Sequence, residues 1–327
     1  MPVFNAEKYV EAAIKSILRQ TMSDFELIII DDASNDKSNE IITSINDSRI
    51  RVYTNQKNIK VSNTLNKALH LARGEYIARM DADDIAYPNR LHIQSSFLDR
   101  NKDYILVASE VETFSDSPQI TFDSLVEHQK WWNQGYTDEE IKQFLILGNC
   151  LNHPSIMYKK EEVLKVGGYR DSYNFAEDYD LFIRLGDMGK FFKIPIPLLK
   201  YRIHSNQVSV LYKSEQRCLD AKIKANLLMN RYVTSNDKIL IWGASLGGKL
   251  IAKELLKRNV NIVGFIDKNK KLIKREILGI NVLGDENSIQ KKSYDFIVIA
   301  TVPGREFATK YLNEQGLQYG KDYIPVW

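Results

Sequence analysis

The run Phe25-Glu-Leu-Ile-Ile-Ile30 ends directly in Asp31-Asp32, and Glu75-Tyr-Ile-Ala-Arg-Met80 ends the same way in Asp81-Ala-Asp83-Asp84. Short apolar runs of this kind read as buried strands. Carboxylates gathered at the end of a strand repel one another, and their proximity costs free energy unless a cation or hydrogen-bond donors compensate. In open α/β sheets ligands bind outside the carboxyl ends of the strands. Two acidic strand ends in one such sheet therefore describe one ligand cleft. The competing reading is that these aspartates only start turns or cap helices. It stands level with the functional one for Asp84, ahead of a helix introduced by Pro88, and is the weaker one for Asp81 and Asp83 together.

The neighbouring segments fit that architecture. Asn5 is placed to cap a helix whose apolar positions Tyr9, Val10, Ala13, Ile14, Ile17 and Leu18 share a face. Strand-like and helix-like patterns then alternate up to about residue 115, as in an α/β layer of parallel strands. Residues 122 to 150 read as polar helices carrying Trp131 and Trp132, for which core packing is the default and a sugar site the alternative. Farther on, Ala176-Glu-Asp-Tyr-Asp180 opens a helix with three acids in its first turn, where the helix dipole alone favours them. Arg202 and His204 lie on one side of the extended segment Leu199–Ser205, since i and i+2 share a face.

The 327 residues allow about two domains of ~150 residues. A net charge of +3 does not call for a nucleic-acid partner. Cys150 and Cys218 lie far apart with no metal-type spacing, which suits a reducing compartment. No apolar run reaches the ~18 residues of a membrane span, and no signal peptide is seen. The expected location is the cytoplasm, with peripheral association at the inner face of the membrane left open. After residue 210 the pattern changes to a charged amphipathic stretch. A fresh βαβ unit then opens with Ile239-Leu-Ile-Trp-Gly-Ala-Ser-Leu-Gly-Gly248.

The segments MPVFNAEKYVEAAIKSILRQT, ELIIIDDASND, GEYIARMDADD, NHPSIMY, VGGYRD, AEDYDLFIRL and YRIHSNQVS follow in that order. Together they resemble the motifs of family 2 glycosyltransferases with the GT-A fold, over about residues 1 to 210. No single motif would suffice, because a lone D-x-D occurs by chance in many proteins. The domains expected are a GT-A domain at 1–210, a linking helix at 211–236 and a smaller Rossmann-like α/β domain at 237–327.

The resemblance also implies roles. Asp81 and Asp83 correspond to the D-x-D motif, which binds the donor, with Asp83 on a divalent cation (Mn²⁺ or Mg²⁺). Asp32 corresponds to the residue that hydrogen-bonds the nucleotide base, usually uracil, with Pro2 and Val3 along the same pocket. Asp178 corresponds to the catalytic base of inverting members. His204 corresponds to a histidine near the metal and diphosphate, as ligand or donor, and Arg202 to a phosphate partner. His153 and Glu177 are candidates for sugar or acceptor contact. The implied reaction moves a sugar from a nucleotide-sugar, most often a UDP-sugar, to a glycan or lipid-linked acceptor in bacterial surface polysaccharide synthesis. The alternative is an inactive or truncated glycan-pathway scaffold acting through its C-terminal domain.

Two departures stand out. Family members usually carry a run of the type V-S-V-I ahead of M-P-V-[YF]-N, whereas Met1-Pro2 opens this chain. A start placed downstream of the true one is the expected reason. In the second domain Ser245 replaces the second glycine of G-x-G-x-x-G, the one that lets backbone approach a pyrophosphate. Asp267 lies where a ribose-binding acid belongs. A dinucleotide there is thus set against a docking or oligomerisation module without cofactor.

Overall fold

The structure is a computed structural model and describes residues 1–289 and 293–327. It divides into two units, Met1–Leu145 with Asn149–Lys213, and Ile146–Gly148 with Ser214–Trp327.

The first unit contains two sheets. In the smaller, β1 (Pro2–Val3), β2 (Leu27–Asp31) and β3 (Ile50–Thr54) run parallel in that order. The larger is built from β4 (Tyr76–Ala78), β5 (Ile85–Ala86), β6 (Tyr104–Phe114), β7 (Met157–Lys159) and β8 (Lys190–Arg202) in the order β4-β7-β6-β8-β5. The expectation of an all-parallel layer holds only for the first sheet. In the second, β6 and β8 are parallel and every other pair is antiparallel. The segment Ile85–Ala86 turns back against the long strand β8, and this brings the acidic turn at 81–84 beside Arg202.

The helix Val10–Leu18 buries Val10, Ala13, Ile14 and Ile17, the face that its apolar spacing defines. Asn5 does not cap it. Its backbone is left-handed (φ 51°), its N–H donates to Ser34 Oγ (3.0 Å) and its Oδ1 accepts from Asn35 N–H (2.9 Å). Asn5 therefore ties the first loop to the loop after β2, and Tyr9 takes the cap position without a side-chain bond. Pro88 likewise lies just before its helix, Arg90–Arg100, with Asn89 at the cap. Val3, Val10, Ile14, Leu27, Ile29, Met80, Ala82 and Leu199 form one apolar core beneath the acidic strand ends. A cavity of about 600 Å³ lies farther along the strands, walled by Leu27, Ile28, Ile77, Ala78 and Met80 among others.

In the second unit β9 (Lys238–Trp242), β10 (Asn261–Ile266), β11 (Glu276–Ile277), β12 (Ile280–Gly284), β13 (Phe296–Ile299) and β14 (Tyr323–Pro325) form one sheet in the order β11-β12-β10-β9-β13-β14. All pairs are parallel except the β11–β12 hairpin. From Ser214 on, the helix Lys213–Arg231 falls within this unit. Its buried Ala221, Ile223, Ala225, Leu227 and Leu228 explain why, since an apolar face of that size needs a core to cover it. Among the described residues no helix is long and apolar enough to cross a membrane.

Candidate active site

The acidic turn after β4 is set by simple alternation. Met80 and Ala82 point into the core, so Asp81 and Asp83 face the other way. Asp84 continues the alternation on the core side and is fully buried. Its Oδ1 accepts the Arg202 N–H at 2.8 Å, and its Oδ2 has no hydrogen-bond partner among the described residues. Asp84 is thus neither a turn starter nor a helix cap. Burial first, then the charges of Asp83 and Asp81, hold its carboxyl well above the ordinary carboxylate range. One oxygen from each of Asp81, Asp83 and Asp84 lies within 4.8 Å of the others. Three carboxylates make a hard oxygen donor set of the kind Mg²⁺ and Mn²⁺ take, and a buried oxygen without a donor is what a cation site requires. The residues fit such a cation.

The basic side chains around this turn have defined partners. Arg79 is buried and pairs with Asp81. Arg202 is held between the rings of Tyr9 and Phe114, at 4.5 and 4.4 Å from their centroids. Its Nε donates to the Asp83 carbonyl (2.7 Å) and its Nη1 pairs with Asp116. His204 follows the strand, and its Nε2 lies 3.0 Å from Asp83 Oδ2.

In the first sheet, Pro2 and Val3 pair with Ile30 and Asp31, and the Val3 carbonyl accepts Asp32 N–H at 2.8 Å. The three residues named for the base pocket are therefore adjacent. Asp32 is buried and already accepts three bonds, from Asn55 Nδ2 (2.8 Å) and the N–H groups of Ile59 and Lys60 (2.9 Å each). An ionised carboxylate offers about four acceptor sites, so about one remains.

The second acidic group sits at the start of the helix Glu177–Leu185. Asp178 Oδ2 accepts from Asn149 Nδ2 at 2.7 Å, and its Oδ1 from Tyr179 N–H at 2.7 Å. Burial pushes the Asp178 carboxyl up to about 6. Burial, with the Asp178 charge beside it, pushes Glu177 up to about 8. The electrostatic field of Arg79 reaches both and opposes these shifts. Glu177 Oε2 accepts Phe175 N–H at 2.9 Å, which ties it to a residue in the left-handed region (φ 82°). Asp180 has a structural partner, Arg184, at 2.7 Å. His153 is buried, with Nε2 3.0 Å from the Tyr169 hydroxyl, and burial followed by the Arg79 charge keeps its ring neutral. It forms part of the packed wall around Tyr169 and Phe182.

Residues 1–165 match the sequence profile of glycosyl transferase family 2. An uncharacterized glycosyltransferase of Haemophilus influenzae is 31% identical over 228 residues, 68% of this chain and 69% of that protein. This chain belongs to glycosyl transferase family 2. The O-antigen biosynthesis glycosyltransferase WbnJ of Escherichia coli is another relative, 31% identical over 243 residues, 72% of this chain and 90% of its own. Among solved structures, residues 1–349 of S. aureus TarS in complex with UDP-GlcNAc superpose with a TM-score of 0.57. That match has 16% identity and covers 78% of this chain and 70% of the other, so the likeness is one of fold.

The second unit of this glycosyltransferase matches the family described as C2185-like, N-terminal, over residues 235–319. Its glycine turn is a close-packed feature. Gly243 has φ 112°, and a Cβ at Gly248 would collide with the Gly243 carbonyl oxygen. Asp267, expected to meet a ribose, instead accepts from Ala244 N–H (2.7 Å) and Asn269 N–H (2.8 Å). One oxygen is bonded to the glycine turn's backbone and the other to the loop that follows β10, and the geometry gives no support to a dinucleotide.

Three residues of the enzyme's site escaped the sequence reading. Tyr9 appeared only as an apolar helix position, yet its ring carries Arg202 and His204. Asn149 lies in a stretch with no motif around it. Arg90 is a fully buried cation whose Nη2 donates to the Arg79 and Ile156 carbonyls at 2.6 and 3.1 Å. Only Arg90 left a signal, as a charged residue in an otherwise core-facing helix position.

Proposed function

We propose that this family 2 enzyme is an inverting, cation-dependent glycosyltransferase that takes its sugar from a UDP-sugar. The acceptor class we propose is a surface glycan or its lipid-linked precursor, a reading supported by the O-antigen role in the name of WbnJ. The observation that carries the mechanism is the presence of two separate acidic groups with opposite demands. Asp81, Asp83 and Asp84 crowd together with a buried oxygen left over, as a cation site does. Asp178 stands as a half-buried carboxylate pushed up to about 6, well suited to accept a proton at neutral pH.

In this reading Asp83 and Asp84, with Asp81 beside them, would hold the divalent cation, and His204 would orient Asp83 through their hydrogen bond. When bound, the cation stabilises the negative charge that develops on the departing nucleoside diphosphate. Asp178 takes the proton of the acceptor hydroxyl as that oxygen bonds to the anomeric carbon. The bond from the anomeric carbon to the phosphate oxygen breaks, and its electron pair leaves with UDP. One displacement inverts the anomeric configuration. Asp32 and the backbone of Pro2 and Val3 take the uracil end.

Calorimetric titration of UDP into the protein, with Mn²⁺ and again with EDTA, tests the donor site. Binding that requires Mn²⁺ is expected. A cooperatively melting protein that binds no UDP under either condition would remove the UDP-sugar reading, and other nucleoside diphosphates would be titrated in turn.

A further inference from the structure

Asn149 sits between the helix that bears Trp131 and the proposed base. Its Nδ2 donates to Asp178 Oδ2 at 2.7 Å, and its Oδ1 accepts Leu151 N–H at 3.1 Å. These two bonds fix the amide's orientation. A flip would set a carbonyl oxygen against the carboxylate and an NH₂ group against an N–H, losing both bonds. The Asn149 carbonyl accepts the Trp131 indole N–H at 2.8 Å. The residues on either side of this contact are held by one cation. Lys193 is fully buried, and its Nζ donates to the carbonyls of Trp132 (2.5 Å), Gln134 (2.7 Å) and Cys150 (3.1 Å). Thus Asn149 is tied through its own carbonyl to Trp131, and the next residue of each, Cys150 and Trp132, is held by the same lysine.

We propose that Asn149 is a positioning residue for the glycosyl transfer, holding Asp178 in one rotamer and favouring its ionised form, with Trp131 and Lys193 as its anchors. This rests on the reading of Asp178 as the base. A carboxylate that is to receive a proton from a sugar hydroxyl must keep one orientation, and it must resist taking that proton from solvent. An N–H donor on one oxygen does both: it restricts rotation and stabilises the charged form. The other ionisable groups that bear on Asp178 are Glu177 on its own helix and Arg79 after β4. Asp180 is neutralised by Arg184. Asn149 is uncharged and bonds the Asp178 carboxylate directly, so its removal changes the base without altering the charge count.

The test does not need the acceptor. Protein labelled with ¹³C in the aspartate carboxyls is titrated by NMR, with the Asp178 signal assigned as the one missing in Asp178→Asn. In Asn149→Ala the Asp178 midpoint is expected to rise by about one pH unit, as befits loss of one hydrogen bond to a charged group. In Asn149→Asp, which is isosteric and still accepts Leu151 N–H, the added like charge is expected to raise it further. UDP affinity with Mn²⁺ should stay within about twofold in both, since no donor-side residue is touched. An unmoved midpoint in Asn149→Asp overturns the proposal, even if Asn149→Ala fails to fold. The base reading is tested separately by donor consumption in Asp178→Asn. Unchanged turnover there, alongside a shifted midpoint in the Asn149 variants, would remove the base role and with it the catalytic meaning of Asn149.

Discussion

His204 Nε2 lies 3.0 Å from Asp83 Oδ2, which joins the end of β8 to the acidic turn after β4. The Asn206 N–H donates to His204 Nδ1 at 3.3 Å, which leaves Nε2 as the nitrogen that donates to Asp83. The Tyr9 ring lies against His204, tilted by 38° with centroids 5.1 Å apart, and against the Arg202 guanidinium at 4.5 Å. One ring from the first helix's cap thus supports both basic residues that meet Asp83. A histidine that already bonds the acid is placed to share it with a cation, and Arg202 sets the height of the Asp83 backbone.

Asp83→Ala should abolish Mn²⁺-dependent UDP binding. The substitution removes the carboxylate that both the proposed cation and His204 use, and leaves the Arg202 bond to the Asp83 carbonyl intact. Calorimetry with and without EDTA measures this. Residual binding that no longer depends on metal would show donor contacts independent of the cation. Binding that stays fully metal-dependent would exclude Asp83 as a ligand.

Asp84→Asn separates cation binding from folding. The isosteric amide oxygen can still accept Arg202 N–H, and the variant no longer buries a group that burial drives towards neutrality. The melting temperature is expected to hold or rise. If Asp84 Oδ2 is a cation ligand, Mn²⁺ affinity should fall by about 10- to 100-fold, the usual cost of disturbing a metal site. A large drop in melting temperature would instead mark Asp84 as a structural acid.

Asp178→Asn should keep UDP affinity and lose transfer. A positioned general base contributes about 10²–10⁴-fold, and the amide cannot accept the proton. In the parent enzyme the transfer rate should climb as pH rises through about 6, where burial has moved the Asp178 carboxyl. The sign follows from the base having to be ionised: below that pH it is protonated and idle. Glu177, pushed up to about 8, keeps its proton through this window and spares Asp178 a second charge beside it. A rate that falls with rising pH between 5 and 7 would contradict the assignment.

Much of this was legible before the structure because strand ends carry a sharp signal. The runs before Asp31 and Asp81 form β2 and β4, and the alternation of Met80 and Ala82 with the acids orients the cluster. What the chain concealed were contacts over long sequence separations. Nothing near Asp84 announces that its partner is the Arg202 N–H, 118 residues away. The same holds for Asn149 and Asp178, which are 29 residues apart and joined by one amide. Asn5 misled because a short polar residue before a helix favours capping only when its backbone is extended, and here its φ is positive. In the second unit the glycine spacing leaves a dinucleotide and a cofactor-free module both open, and only the structure shows that Asp267 bonds the Ala244 N–H of the turn.

Arg202→Lys distinguishes a structural clamp from a phosphate contact. A lysine keeps the charge but cannot lie flat between the rings of Tyr9 and Phe114 while also bonding the Asp83 carbonyl and Asp116. Loss of stacking and of a hydrogen bond from a charged donor should cost about 1–3 kcal/mol. For a unit of this size that corresponds to a fall of roughly 2–12 °C in melting temperature, at about 2–4 °C per kcal/mol. UDP affinity should weaken in parallel, because the Asp83 backbone loses its support. If Arg202 serves the diphosphate directly, lysine substitutes as a point charge, so melting is unchanged and only UDP affinity falls. Differential scanning calorimetry beside the UDP titration reads both quantities, and a stable variant with weakened binding would replace the clamp by the phosphate role.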